Sequence, residues 1–328
     1  MKKLFPLLAI LLIACSAPNE KRTMGSVERL DAALDALIDP NIKPEIIAEG
    51  FEWSEGPVWI ESENMLLFSD VPKNIIYKWT EAKGLEKFLE PSGYTSDIPR
   101  GGEMGSNGLT LDNSGQLVLC QHGDRRVALL NSDYKNPKPD FKTLAGDYQG
   151  KKFNSPNDVA FDKQGNLYFT DPPYGLLKQT EDSSKQIPFQ GVYKVKPDGS
   201  VILLVDSLTR PNGIALSPDE KTLYVANSDG PVAKWYSFEL AGDSLINAKI
   251  FFWTKYAEGE KGAPDGLRVH KSGSIFATGP GGIWIFDPTG MVLGKIKIPE
   301  ATANCAFSTD QKMLYTTSDN FILRIPLQ

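Results

Sequence analysis

Cysteine and histidine are scarce in this chain: 3 and 2 of 328 residues. Cys15 lies in the N-terminal apolar segment, which leaves Cys120 and Cys305. Two thiols make no disulfide framework. With only His122 and His270 available, a histidine-rich metal cluster is excluded. Basic charge is also in deficit, with 35 Lys and Arg against 41 Asp and Glu, a formal net charge of −6. No basic stripe is present, so nucleic acid is not an expected partner. Long apolar runs are missing too. The run "LFPLLAILLIAC" is too short to span a bilayer comfortably. What remains is ordinary globular composition, 41% hydrophobic and 23% charged, with enough length to bury one large core or two smaller ones.

The N-terminus reads as a targeting segment. Lys2 and Lys3 precede the apolar run, and "LIAC" resembles the lipobox of bacterial lipoproteins, in which the cysteine is lipid-modified and becomes the new N-terminus. On that reading residues 1–15 are a signal peptide and Cys15 is the lipidation site. An ordinary secretory signal or an uncleaved anchor is the alternative. Several lipid chains anchor stably, so a soluble domain tethered to the cell envelope is expected, facing the periplasm or the exterior. Residues 16–41 read as a polar tether and a short helix. Val27, Leu30, Leu34 and Leu37 share one helical face, with Ser26 as N-cap and Pro40 as stop.

From residue 42 onward the chain repeats. "EGPVWIESENMLLFSD", "SNGLTLDNSGQLVLCQ", "PNDVAFDKQGNLYFTD", "PNGIALSPDEKTLYVAN", "PDGLRVHKSGSIFATG" and "ANCAFSTDQKMLYTTS" share one frame. Each opens on a polar residue, then alternates apolar residues, turns, and starts a second strand. Gly115, Gly165 and Gly273 sit where such turns require φ > 0. Further strands such as "IIYKWT" and "VILLV" follow in most units. Four short antiparallel strands every 40–55 residues or so is the spacing of a propeller blade. Six units predict an all-β, six-bladed β-propeller over 42–328. The last unit lacks a fourth strand, which "KPEIIAEGF" can supply, closing the ring with both ends of the chain. A stacked β-solenoid is the competing all-β architecture, disfavoured by the hairpin turn inside every unit.

The repeat register aligns Glu55, Asn107, Asn157, Asn212 and Asp265, with Ala303 in the sixth unit. In a propeller the first strand of each blade lines the central channel, so five oxygen-bearing side chains converge. Burying them is costly without compensation. A hard cation compensates: Ca²⁺ takes several oxygen ligands from carboxylates, amides and water. The ring contains no His or Cys, which disfavours Zn²⁺ and softer metals. A water-filled polar channel with ordinary turn-forming asparagines is the alternative.

"SEGPVW", "NSPNDVAFD", "RPNGIALSPD" and "GAPDGLRV", in this order and at blade spacing, resemble the gluconolactonase, regucalcin (senescence marker protein) and strictosidine-synthase-like group, to whose broader set diisopropyl fluorophosphatase belongs. The resemblance covers about residues 42–328. "YFTDPPYG" and "CQHGDRRV" look most like the bacterial gluconolactonase-type branch. The resemblance implies a six-bladed propeller with Ca²⁺, or another divalent cation, held by Glu55, Asn157, Asn212 and Asp265. It also implies hydrolysis of lactones, chiefly sugar lactones. The sequence departs from the fluorophosphatase in its sixth unit, where "TTSDN" puts Ser318 at the position of a channel histidine.

The expected reaction is metal-assisted opening of a lactone ring by water, with Asp265 as the carboxylate nearest to a general base. Asn107 and His122 are candidate substrate-binding residues. His270 is expected to be peripheral. Asp70 and Asp171, which end second strands, are either helpers or blade-end structure. The partner is a small-molecule lactone, and a monomer is expected. A phosphotriesterase-like hydrolase using the same cation and a non-enzymatic ligand-binding propeller are the alternatives.

Overall fold

The computed structural model describes residues 21–328. Residues 1–15, read above as a signal peptide ending in Cys15, lie outside the described residues. Among the described residues six antiparallel blade sheets succeed one another along the chain, with a two-stranded ribbon of Asp147–Tyr148 and Lys151–Lys152 between the second and third. Blade 1 is built from Ser54–Ile60, Met65–Asp70, Ile75–Thr80 and Gly84–Leu89. Blade 2 runs from Ser106–Leu111 to Phe141–Ala145, blade 3 from Val159–Phe161 to Val201–Val205, and blade 4 from Pro211–Leu216 to Ser244–Lys255. Blade 5 spans Leu267–Val269 to Val292–Lys297, and blade 6 has Thr302–Phe307, Met313–Ser318 and Phe321–Pro326. Its fourth strand is Glu45–Glu49, which pairs antiparallel with the last strand, Glu45 opposite Arg324 and Ile46 opposite Leu323. The ring therefore closes with both chain ends, as the repeat count predicts. The hairpin glycines Gly115, Gly165 and Gly273 have φ of 84°, 83° and 88°.

Each blade-to-blade seam holds its own apolar cluster. Blades 1 and 2 meet through Leu67, Ile76, Leu109 and Leu119, and blades 2 and 3 through Val118, Val127, Phe169 and Tyr193. Blades 4 and 5 close on Trp235, which is fully buried against Phe286 at 5.8 Å between ring centroids. The alternation in every strand sends one residue set into a seam and the next into the neighbouring seam. At about 1.5–3 kcal/mol per fully buried large apolar side chain, these seams hold the inner strands at fixed positions around the axis.

The lead-in departs from the helix read in its sequence. Ser26–Arg29 is a strand, not the start of a helix, and it adds a fifth strand to blade 5 beside Val292–Lys297. The unpaired edge of that blade offers a full ladder of backbone partners, which outweighs a four-residue apolar periodicity. A single turn of 3₁₀ helix follows at Ala32–Ala36. Its N-cap is Asp31, whose carboxylate accepts from the Ala33 N–H at 2.8 Å, so Ser26 does not cap it. Leu34 is fully buried and packs over Gly294 of blade 5.

Candidate active site in the propeller channel

In four of the six blades the first strand reaches the channel with a local irregularity. The strand register shifts between Glu55 and Val58, between Ser106 and Leu109, between Pro211 and Ile214, and between Thr302 and Asn304. A bulge re-aims the side chains at a strand end, and it falls on the ring positions. The residue after the ring position must be small where backbones converge. Gly56 has φ of 52°, and a Cβ on it would sit 2.1 Å from the Asn107 carbonyl oxygen. Gly213 stands in the same relation to the Asp265 carbonyl, at 2.2 Å. The glycine in "EGP" and "NGI" thus lets successive ring residues stand side by side.

Glu55, Asn107, Asn157, Asn212 and Asp265 all line one cavity of about 290 Å³, together with Trp53, Glu103, Tyr174, Ser228 and Thr302. Glu55, Asn107, Asn157 and Asn212 are nearly fully buried and Asp265 is partly buried with its Oδ1 inaccessible, and the cavity brings together the five positions aligned by the repeats. The Asn212 amide nitrogen donates to Ser228 Oγ at 2.9 Å, which fixes the side chain and leaves its Oδ1 free. Among the described residues, Asn212 Oδ1, Asn107 Oδ1 and Asp265 Oδ1 are buried without any hydrogen-bond partner. Glu55 Oε2 accepts from the Gly56 N–H at 2.8 Å and from Asn304 Nδ2 at 3.4 Å. Burial, and then the neighbouring Glu55 and Asp158 charges, push the Asp265 carboxyl well above its usual range. Burial likewise raises Glu55, with Asp158 and Glu103 adding to the effect. Two buried carboxylates and several bare amide oxygens are what a hard divalent cation would offset. Among the described residues no group of three or more His, Cys, Asp and Glu stands together, so a cation here depends on asparagine oxygens.

Beneath the ring lies a second polar layer that the repeat alignment does not reveal. Blade 3 carries Asp158 where blades 1, 2, 4 and 5 have Gly56, Gly108, Gly213 and Gly266. Its fully buried carboxylate receives Arg268 Nη1 at 3.0 Å and Nη2 at 3.3 Å from blade 5. Blade 6 contributes Asn304, one residue past Ala303, at the repeat position that Asp158 fills in blade 3; each accepts from the next backbone N–H at 2.9 Å. The sixth blade therefore does place an amide beside Glu55. Ser318 Oγ donates to Thr302 Oγ1 at 3.1 Å.

Other candidates fall outside the cavity. Asp171 accepts from the Asn154 and Ser155 N–H groups, both at 2.8 Å, and Asp70 from Trp53 N at 3.2 Å. Both pin the loop that enters an inner strand, which makes them blade-end structure. His270 Nδ1 lies 2.8 Å from Ser272 Oγ in its turn and is peripheral. His122 is fully buried and does not line the cavity; Glu103, 3.5 Å from its Nδ1, does. Cys120 and Cys305 are buried free thiols. Glu103 and Tyr174 come from the loops 91–105 and 172–190, whose placement no periodicity encodes.

A family model described as SMP-30/Gluconolactonase/LRE-like region matches residues 53–320. The chain belongs to the SMP-30/gluconolactonase/LRE-like family. Within it, this chain is 38% identical over 311 residues to a gluconolactonase of Zymomonas mobilis, covering 92% of this chain and 86% of that one. It is 29% identical over 299 residues to the lactonase drp35 of Staphylococcus epidermidis, covering 85% and 86% of the two chains. The solved structure of a Xanthomonas campestris gluconolactonase superposes with a TM-score of 0.80 at 29% identity, over 94% of this chain and 98% of that one. These SMP-30/gluconolactonase relatives support lactone hydrolysis as the reaction class.

Proposed function

We propose that the protein is a divalent-cation-dependent lactonase that opens the ester ring of a sugar lactone, with Ca²⁺ as the cation. The observation that carries this reading is the set of buried, unpartnered oxygens on Asn107, Asn212 and Asp265 beside the Glu55 carboxylate. Glu55, Asn157, Asn212 and Asp265 would hold the cation. When bound, it would supply Lewis-acid polarisation of the lactone carbonyl and charge for the developing oxyanion.

The remaining work falls to the chain itself. Asn107 orients the substrate through its free Oδ1, which accepts from a ring hydroxyl. Trp53 and Tyr174 wall the cavity and limit bulk water around the reacting ester. A water attacks the carbonyl carbon and loses a proton to Asp265. Burial and neighbouring negative charge raise the proton affinity of Asp265, countering the lowering that a bound cation imposes. The bond between carbonyl carbon and ring oxygen then breaks, and the ring oxygen leaves as a hydroxyl by taking the proton back from Asp265. Ser318, hydrogen-bonded to Thr302, offers no imidazole of the kind the phosphotriesterase alternative would use.

The test is a pH-stat assay over a panel of sugar lactones and one organophosphate, with Ca²⁺ present. Acid release from a sugar lactone above the spontaneous rate supports the reading. Turnover of the organophosphate alone would replace it. We also propose, from the N-terminal sequence, that Cys15 is lipidated and tethers the propeller to the cell envelope. Loss of radiolabelled palmitate incorporation in Cys15→Ser tests that separately.

A further inference from the structure

His122 poses a problem that the ring does not solve. It is fully buried, and among the described residues neither ring nitrogen has a hydrogen-bond partner. Buried polar side chains are as a rule paired. The ring is also tightly held. A Cβ on Gly175 would stand 2.6 Å from His122 Cβ and 2.9 Å from its Cγ, and the His122 backbone N–H donates to the Gly105 carbonyl at 3.1 Å. What faces its Nδ1, at 3.5 Å, is Glu103 Oε2. Glu103 sits on the loop just before blade 2 and lines the cavity with 36% of its side chain exposed.

The charges around the cavity are one-sided. Glu55, Glu103 and Asp265 line it, and none of the described lining residues is Lys or Arg. Glu55 and Asp265 belong to the candidate cation site. A divalent cation would offset those two charges and leave Glu103 as a net negative charge facing the substrate. We propose that Glu103, oriented by His122, makes this site selective for uncharged polyhydroxylated lactones and against anionic ones. The inference rests on the lactonase reading. A carboxylate accepts hydrogen bonds from sugar hydroxyls, whereas it repels a phosphate or a second carboxylate. One unit charge at roughly 6–8 Å and an effective dielectric near 20 gives discrimination of about tenfold or more. His122 is a positioning residue: its Nδ1, 3.5 Å from Glu103 Oε2, is the polar group that the carboxylate faces, and it restrains that carboxylate without touching substrate.

The experiment compares kcat/KM for glucono-1,5-lactone and for the same lactone carrying a 6-phosphate, in the full-length protein with Ca²⁺. Wild type should favour the neutral lactone. Glu103→Gln should shift the ratio about tenfold toward the phosphorylated substrate, and Glu103→Lys should shift it further. His122→Leu should move the ratio in the same direction as Glu103→Gln. His122→Asn, which keeps an N–H near the position of Nδ1, should hold it near wild type, a rescue that a mere packing role would not produce. A ratio that stays within twofold of an active wild type in both Glu103 variants overturns the assignment while leaving the lactonase reading intact. Wild type inactive on both lactones overturns both.

Discussion

Arg268 is the residue whose loss should be felt most directly in the fold beneath the site. Its guanidinium makes a two-pronged contact with Asp158, at 3.0 and 3.3 Å, and the Asp158 carboxylate is fully buried. Arg268→Met removes the cation and keeps much of the stem volume. Asp158 would then stand as an unpaired buried charge, with only the Val159 N–H at 2.9 Å and a long contact from Ile214 N at 3.4 Å. Removing one partner of a buried pair costs about 3–5 kcal/mol, while removing both costs far less. Asp158→Asn in the Arg268→Met background should therefore recover most of the loss, since an amide still accepts from Val159. The assay is urea unfolding of wild type, both single variants and the double variant, stripped of divalent cations. The coupling between the two sites should amount to about 2 kcal/mol or more. An Arg268→Met variant within about 1 kcal/mol of wild type would refute the view that this pair anchors the second polar layer.

Asp265→Asn should keep the propeller, with a far-ultraviolet spectrum like wild type, and lose most lactonase activity; full activity would remove Asp265 as the base. Glu55→Gln should lower cation affinity first, so activity should fall at limiting Ca²⁺ and recover in part at saturating Ca²⁺. The pH response of the cation-free protein has a definite sign. Glu55 and Asp265 have folded values raised above their ordinary carboxylate range. The folded state therefore holds more protons than the unfolded one as pH climbs past that range. The pair's contribution is fully present at the acid end and is lost as pH rises. Thermal unfolding of chelated protein from pH 5 to 8 should show this slope, and Glu55→Gln should flatten it. Added Ca²⁺ should bind more tightly as pH rises, because it needs the carboxylates ionised.

The blades and the ring were readable in the sequence because both are periodic. Glycine turns at fixed offsets marked hairpins, and the roughly 50-residue interval placed Glu55, Asn107, Asn157, Asn212 and Asp265 in register. Asn304 escaped because it stands one residue past the ring position, in a column that holds glycine in four of the other five blades and so gives no polar signal to a repeat count. Asp158 and Arg268 escaped for another reason. Their contact spans 110 positions along the chain and follows from blade geometry alone. The segment from Ser26 carries helical periodicity but forms a strand, because its outcome depends on the vacant edge of blade 5, which a local window does not contain. Glu103, Tyr174 and His122 owe their meeting to loops, and loops carry no period.

The central claim is that the ring holds one divalent cation on which lactone opening depends. It is tested most directly by titrating Ca²⁺ into chelator-stripped protein in a calorimeter and assaying glucono-1,5-lactone hydrolysis at each point. The account predicts one ion per chain, with activity rising in step with occupancy. Stripped protein that turns over at the full rate, with no heat of Ca²⁺ binding, would contradict it.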